Sequence, residues 1–113
     1  MTKVEKPWGH ELIWAKTSDY VGKILFIRKG QKLSLQYHNV KEETILVHSG
    51  SMIFTTEEAG RLVEKRLGPG DSHHIPPKTR HRMEATEDCT VFEVSTPQLD
   101  DVVRLEDAYG RVR

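Results

Sequence analysis

Cysteine is almost missing from this chain. Cys89 is the single one in 113 residues, which excludes an internal disulfide and any zinc site built on several thiolates. Net charge is missing as well: 17 Lys and Arg balance 17 Asp and Glu, so broad electrostatic capture of nucleic acid or of an anionic membrane is not expected. No stretch approaches the roughly 18 consecutive apolar residues of a membrane-spanning helix. Met1 to His10 is mostly polar and carries no apolar signal core. These absences lead to the expectation of a cytoplasmic protein with a small-molecule partner. Apolar residues reach only 36%, yet area scaling lets a chain of this size bury about two-thirds of its surface, enough for one core. A single domain over residues 1–113 is therefore expected.

Helix signals are scarce too. Short β-rich runs alternate with Gly, Pro, Asp and Ser breakers. Strands are expected at Glu11 to Trp14, Gly22 to Arg28, Lys32 to His38, Thr44 to His48, Met52 to Thr56, Leu62 to Leu67, His73 to Ile75, Arg80 to Ala85 and Thr90 to Ser95. Glu57-Glu58-Ala59-Gly60 reads as a hairpin turn, and Gly68-Pro69-Gly70-Asp71 as a strong breaker. Strands this short, with turns this closely spaced, predict an all-β barrel or sandwich. The segment after Pro97 has the composition of a surface-docked tail or of a turn or two of helix.

Gln36 and His38 lie two apart on one expected strand, so their side chains share a face. Glu43 opens the next strand, and His81 stands on a later one. A barrel would draw these strands around one lumen, where two imidazoles, a carboxylate and an amide oxygen suit one divalent transition metal ion, whether Zn, Mn, Ni, Fe or Co.

Gly30, Gln36-Tyr37-His38, Glu43 and Gly50 have the gaps of the first cupin motif, with Gln36 where many cupins place the first His. Gly70, Pro76, Lys78, His81 and Ala85 follow the second, with Lys78 and Ala85 at its Gly and Asn positions. The chain thus resembles the cupin family over about 30–50 and 70–85. The resemblance implies an all-β double-stranded β-helix, or jelly-roll, barrel with short N- and C-terminal extensions. A homodimer is expected as well, since the exposed edge strands of a small barrel need cover. Three segments, Lys6-Pro7-Trp8-Gly9, Leu33-Ser34-Leu35-Gln36-Tyr37-His38 and Ile75-Pro76-Pro77-Lys78-Thr79-Arg80-His81-Arg82, are similar to the cupin domain of type II mannose-6-phosphate isomerases. That likeness implies metal ligands at Gln36, His38, Glu43 and His81, and a sugar or sugar-phosphate isomerase or epimerase acting through a metal-stabilised enediolate. The Asn39-Val40-Lys41-Glu42 connection and the Thr44-Ile45 pair depart from that group's pattern. An Fe(II)-dependent dioxygenase and a non-catalytic sugar-binding module are the alternative classes.

Further candidates follow from residue chemistry. His74 and Lys32 are the expected inward-facing acid/base groups, since imidazole titrates near neutrality and Lys32 shares the parity of Gln36 and His38. Lys78 and Arg82, with Arg80, form a basic cluster around His81 that an anionic substrate would need. Alternation nonetheless puts Arg80 and Arg82 on the face opposite His81. His48 is expected to point away from the metal set, and Cys89 to be a small buried residue. Trp8, Trp14 and Tyr20 are expected to close the barrel or pack across a dimer interface.

Overall fold

The structure, a computed structural model, describes residues 1–112. Among these residues there are eleven strands and no α-helix: β1 (Thr2–Lys6), β2 (Gly9–Lys16), β3 (Val21–Ile27), β4 (Leu35–Tyr37), β5 (Glu43–Ser49), β6 (Met52–Glu58), β7 (Arg61–Leu67), β8 (Ser72–Ile75), β9 (His81–Ala85), β10 (Cys89–Ser95) and β11 (Val103–Glu106). They form two antiparallel sheets, ordered β1-β2-β3-β10-β5-β8 and β11-β4-β9-β6-β7. This is the jelly-roll barrel expected from the sequence.

Period-two patterning explains why each strand lies as it does. On β6, Met52, Phe54 and Thr56 turn inward; on β9, His81, Met83 and Ala85; on β10, Cys89, Val91, Glu93 and Ser95. One end of the barrel is filled by Ile27, Val47, Met52, Phe54, Met83, Ala85 and Val91, all buried. Burying each large apolar side chain there contributes about 1.5–3 kcal/mol. Toward the other end the inward positions become polar: Lys23 pairs with Glu93 across β3 and β10, and Glu43 with Ser95 across β5 and β10. In the second sheet a single row runs Arg104, Gln36, His81, Thr56 across β11, β4, β9 and β6. The sequence thus builds a dry end and a polar end into one barrel.

The β6–β7 hairpin closes on two residues, Ala59 and Gly60, both at positive φ. That is the geometry whose twist matches the flanking strands.

Three features differ from the expectations. The tail is neither a helix nor a loosely docked segment: β11 pairs with β4 and extends the second sheet. The run from Lys32 to His38 is broken, leaving a lone bridge at Lys32 and the three-residue β4. The break resets the alternation, so Leu33 and Gln36 both line the lumen. Finally, β1 forms an added edge strand joined to β2 by the Pro7-Trp8 turn. Trp8 is buried and helps close the lumen, whereas Trp14 and Tyr20 are exposed. Trp14 stands with Leu46 and Val94 around an apolar groove of about 370 Å³ on the outer face of the six-stranded sheet.

Candidate metal centre

His38, Glu43 and His81 meet at the polar end of the lumen. Each is at least 96% buried, and one ligand atom from each lies within 4.8 Å of the others. Nε2 of His38 and Nε2 of His81 both stand 3.1 Å from Glu43 Oε1. Three places in the fold deliver these groups: His38 directly follows β4, Glu43 opens β5 and His81 opens β9.

Both rings are oriented from behind. His38 Nδ1 donates to the carbonyl of Asp101 at 2.5 Å, and His81 Nδ1 to the carbonyl of Thr79 at 2.9 Å. A carbonyl only accepts, so each Nδ1 carries the proton. In the neutral ring, each Nε2 lone pair is then turned toward Glu43. His81 Nε2 makes no hydrogen bond among the described residues although it is fully buried. Two lone pairs facing a carboxylate without an intervening proton repel one another, and a cation between them removes the conflict. The donor set therefore fits a divalent transition metal. Burial alone would push the Glu43 carboxyl up. Hydrogen bonds from His38 and His81 when their Nε2 atoms carry protons, and the nearby Lys41 ammonium, more than offset this and hold it well below the usual carboxylate range; a cation in place of those protons has the same sign of effect.

The groups that hold these side chains from behind come from the tail and from a left-handed turn. The Asp101 carboxylate accepts from the backbone N–H groups of Asn39, Val40 and Lys41, which clamps the connection between His38 and Glu43. Those three bonds pull the Asp101 carboxyl down to about 2. Lys78 sits at φ 63, and its N–H donates to the His38 carbonyl at 2.6 Å. The position where the motif carries Gly is left-handed in this chain, although Lys fills it.

Gln36 neighbours His81 across β4 and β9 and lines the lumen, with its Oε1 accepting from Ser34 Oγ at 2.6 Å. The other sequence candidates lie elsewhere. His74 is exposed and its Nε2 is 2.5 Å from Glu42 Oε2; the inward position on β8 belongs to His73, which packs on Phe54. The expectation that His74 faces the lumen is corrected accordingly. Lys32 is likewise not inward, because its bridge partner is Glu84, whose side chain is exposed on the outer face. The Lys78 side chain is exposed. The Arg82 guanidinium braces strands from outside, donating to the Leu33 and Glu106 carbonyls at 2.9 and 3.1 Å. Arg80 pairs with Glu57. His48 stacks on the outer Phe92 ring, away from the centre as expected.

The lumen also holds charged residues that the sequence reading missed. Glu11 and Lys23 form a buried pair at 3.2 Å. Lys41 bridges Glu43 and Glu93 at 3.5 and 3.4 Å. Burial, followed by the Glu43 charge, pushes the Glu93 carboxyl up to about 7, against the pull of Lys41 and Lys23. Lys6, Arg104 and Arg111 complete the wall. A signal was present for two of these: Glu93 shares the parity of Val91 on β10, and Lys23 that of Leu25 on β3. In β3, however, Ile24 and Phe26 are as apolar as Leu25 and Ile27, so parity alone does not say which face turns inward.

Comparison with known proteins agrees with this architecture. The family model described as "Cupin domain" matches residues 24–95. Among curated proteins, the mannose-1-phosphate guanylyltransferase ManC of Salmonella typhimurium is 32% identical over 115 residues, 97% of this chain and 23% of the relative. The alginate biosynthesis protein AlgA of Pseudomonas aeruginosa is 30% identical over 114 residues, 96% of this chain and 23% of the relative. The chain thus spans about a quarter of the length of these curated relatives. Among solved structures, KdgF from Halomonas sp. superposes with a TM-score of 0.71 at 24% identity, covering 88% of this chain and 91% of that one. The capsular polysaccharide assembling protein CapF from Staphylococcus aureus gives 0.76 at 19% identity, covering 93% and 34%. The family match runs from within β3 to the end of β10, taking in strands of both sheets and all three converging residues. The chain belongs to the cupin family.

Proposed function

We propose that this protein is a metal-dependent isomerase or epimerase of a sugar or sugar phosphate, with one divalent transition metal held by His38, Glu43 and His81 and by Gln36 beside them. The observation that carries the reading is the His38–Glu43–His81 convergence, with its unanswered His81 Nε2, inside a polar lumen. A bound metal supplies Lewis acidity toward a substrate carbonyl. The chain's own residues supply the rest. Asp101 and Thr79 fix the imidazoles, and the buried walls exclude bulk water. Glu93 is the lumen carboxyl assigned to hold or move a proton: Glu43 belongs to the ligand set, and burial beside Glu43 pushes Glu93 up to about 7 despite its contact with Lys41. Lys41 ties Glu93 to Glu43 and fixes its position. The names of ManC, AlgA and CapF, which point to mannose 1-phosphate, alginate and capsular polysaccharide, support a carbohydrate substrate. A homodimer through the apolar face around Trp14 accompanies this reading.

The test is solvent deuterium uptake. The metal-loaded protein is incubated in heavy water with a panel of aldoses, ketoses and their phosphates, mannose 6-phosphate included, and followed by NMR. Deuterium at the carbon beside the carbonyl, lost in Glu93→Gln, is the expected result. No uptake with any member of the panel refutes the reading. One observation favours a second class: Gln36 Oε1 is engaged by Ser34, leaving two His and one carboxylate, the ligand set of Fe(II) oxygenases. Oxygen consumption by the Fe(II)-loaded protein would select that class.

A further inference from the structure

We propose that the Glu11–Lys23 ion pair is the hydroxyl-recognition site of the lumen, taking two neighbouring hydroxyl groups of a polyhydroxylated substrate, one on the carboxylate and one on the ammonium. The inference rests on the sugar reading above and deepens it by naming residues that set specificity.

The pair has hydrogen-bonding capacity that the protein leaves unused. Lys23 Nζ donates to Glu11 Oε1 at 3.2 Å, and among the described residues neither side chain makes another hydrogen bond. An ammonium has three protons and a carboxylate two oxygens. Two N–H groups and Glu11 Oε2 are therefore left over. The Lys23 and Glu11 side chains are only 10% and 9% exposed, and both line the lumen. Glu11 Oε2 has no partner among the described residues and is not sealed off, so it opens on that space. Glu93, the cross-strand neighbour of Lys23, is bonded by Lys41 at 3.4 Å instead.

The barrel wall does not need this pair. Two charges withdrawn from water are poorly repaid by a single hydrogen bond, and apolar side chains of similar volume hold such a position at least as well. The adjoining wall is built that way: Leu25, the cross-strand neighbour of Glu11, is buried. Opposite charges side by side at a cavity suit a ligand with donors and acceptors at adjacent positions. One hydroxyl donates to the free carboxylate oxygen, and the oxygen of the next accepts from the ammonium. A lone hydroxyl answers fewer of these groups, and an alkyl chain answers none.

The pair also stands where a substrate held at the metal would reach it. Lys23 faces Glu93 across β3 and β10, and Glu93 faces Ile45 across β10 and β5, two residues from Glu43. Two strand spacings, about 10 Å, thus separate Lys23 from the strand that supplies the ligand carboxylate. A substrate whose carbonyl meets the metal turns hydroxyls further along its chain toward the pair.

The lumen encloses about 90 Å³, so the probe is small: erythritol, hydroxylated at every carbon, against 1,4-butanediol, which has the same carbon chain without the inner hydroxyls. Each is titrated into full-length protein stripped of metal by a chelator, so that no metal binds the diol, and followed by saturation-transfer NMR. Erythritol should bind about tenfold more tightly or better. The double variant Glu11→Leu, Lys23→Met should melt no lower than wild type and lose the preference. Glu11→Gln, which keeps the shape and an acceptor for Lys23, should weaken erythritol about fivefold. Equal binding of the two probes by wild type overturns the site, as does absence of erythritol binding. A double variant that melts lower, together with unchanged erythritol binding in Glu11→Gln, makes the pair structural and overturns it too. Metal content, measured on unstripped samples, keeps the two readings apart. A protein that takes metal but does not prefer erythritol sinks only this inference, and one that prefers erythritol but takes no metal sinks only the metal reading.

Discussion

If His38, Glu43 and His81 hold a metal, metal must stabilise the folded chain, and His81→Ala must abolish that effect. The ligand atoms lie within 4.8 Å of one another only in the folded barrel, because β9 brings His81 beside His38 and Glu43 from 38 positions beyond Glu43. A metal that binds the folded state alone adds RT ln(1 + [M]/Kd), about 2.7 kcal/mol when free metal is 100 times Kd. Unfolding entropy is about 2.1 cal/mol/K per residue, so 113 residues unfold with about 240 cal/mol/K. The melting temperature should then rise by about 11 °C with the best of Mn, Fe(II), Co, Ni and Zn. Differential scanning calorimetry of chelator-treated protein with and without each metal reads this directly. His81 is 1% exposed and contacts Phe54, so His81→Ala lowers the metal-free melting temperature as well. The diagnostic quantity is the metal-induced increment, not the absolute value. His48→Ala, on the outer face against Phe92, should keep the full increment. An undiminished increment in His81→Ala, or none with any metal in wild type, refutes the centre.

Three further outcomes are expected. Gly50 has φ 81, and a Cβ there would lie 2.1 Å from the Asp88 carbonyl oxygen. Gly50→Ala should therefore destabilise by about 3 kcal/mol or more in urea unfolding, since backbone cannot yield as a side chain would. Lys78→Gly should stabilise by about 1 kcal/mol in the same assay, because Lys78 holds φ 63, where a Cβ is strained, while its N–H bond to His38 is kept. The Asp101 carboxyl falls from the usual 3.8 to about 2 on folding, chiefly through the Lys41, Val40 and Asn39 N–H groups. Its contribution is thus complete above about pH 4 and lost as pH falls through about 2. Asp101→Asn should be less stable at pH 6 and show a flatter stability decline between pH 4 and 2.

The inner ends of the barrel strands were readable because each lies in a run where apolar and polar residues alternate between breakers. β6, β9 and β10 are such runs, and they carry Phe54, His81 and Val91 inward as the pattern requires. Parity failed where the strand itself failed. Between Lys32 and Leu35 the ladder breaks, so counting by twos from His38 turned Lys32 to the wrong face. It also could not rank two adjacent imidazoles on β8, where pairing with β5 sent His74 out to Glu42 and His73 in to Phe54. β11 was missed because its Val103-Arg104-Leu105-Glu106 alternation is only four residues long and sits in a tail rich in Asp, and it becomes a strand by pairing with the edge of β4.

By itself, the sequence determined the all-β class and His38, Glu43 and His81 as converging residues. These depend on period-two alternation and on spacing between breakers, both local properties. The tertiary structure alone decided what surrounds the triad. Asp101 behind His38, Glu93 beside Lys41, and Lys6, Arg104 and Arg111 around the lumen come from segments up to 105 positions apart, brought together by the sheet order and by the turns and tail that the sheets hold. A charged side chain on an exposed strand and one sealed in a lumen look alike in sequence. Which of the two it becomes depends on what the opposite sheet places in front of it.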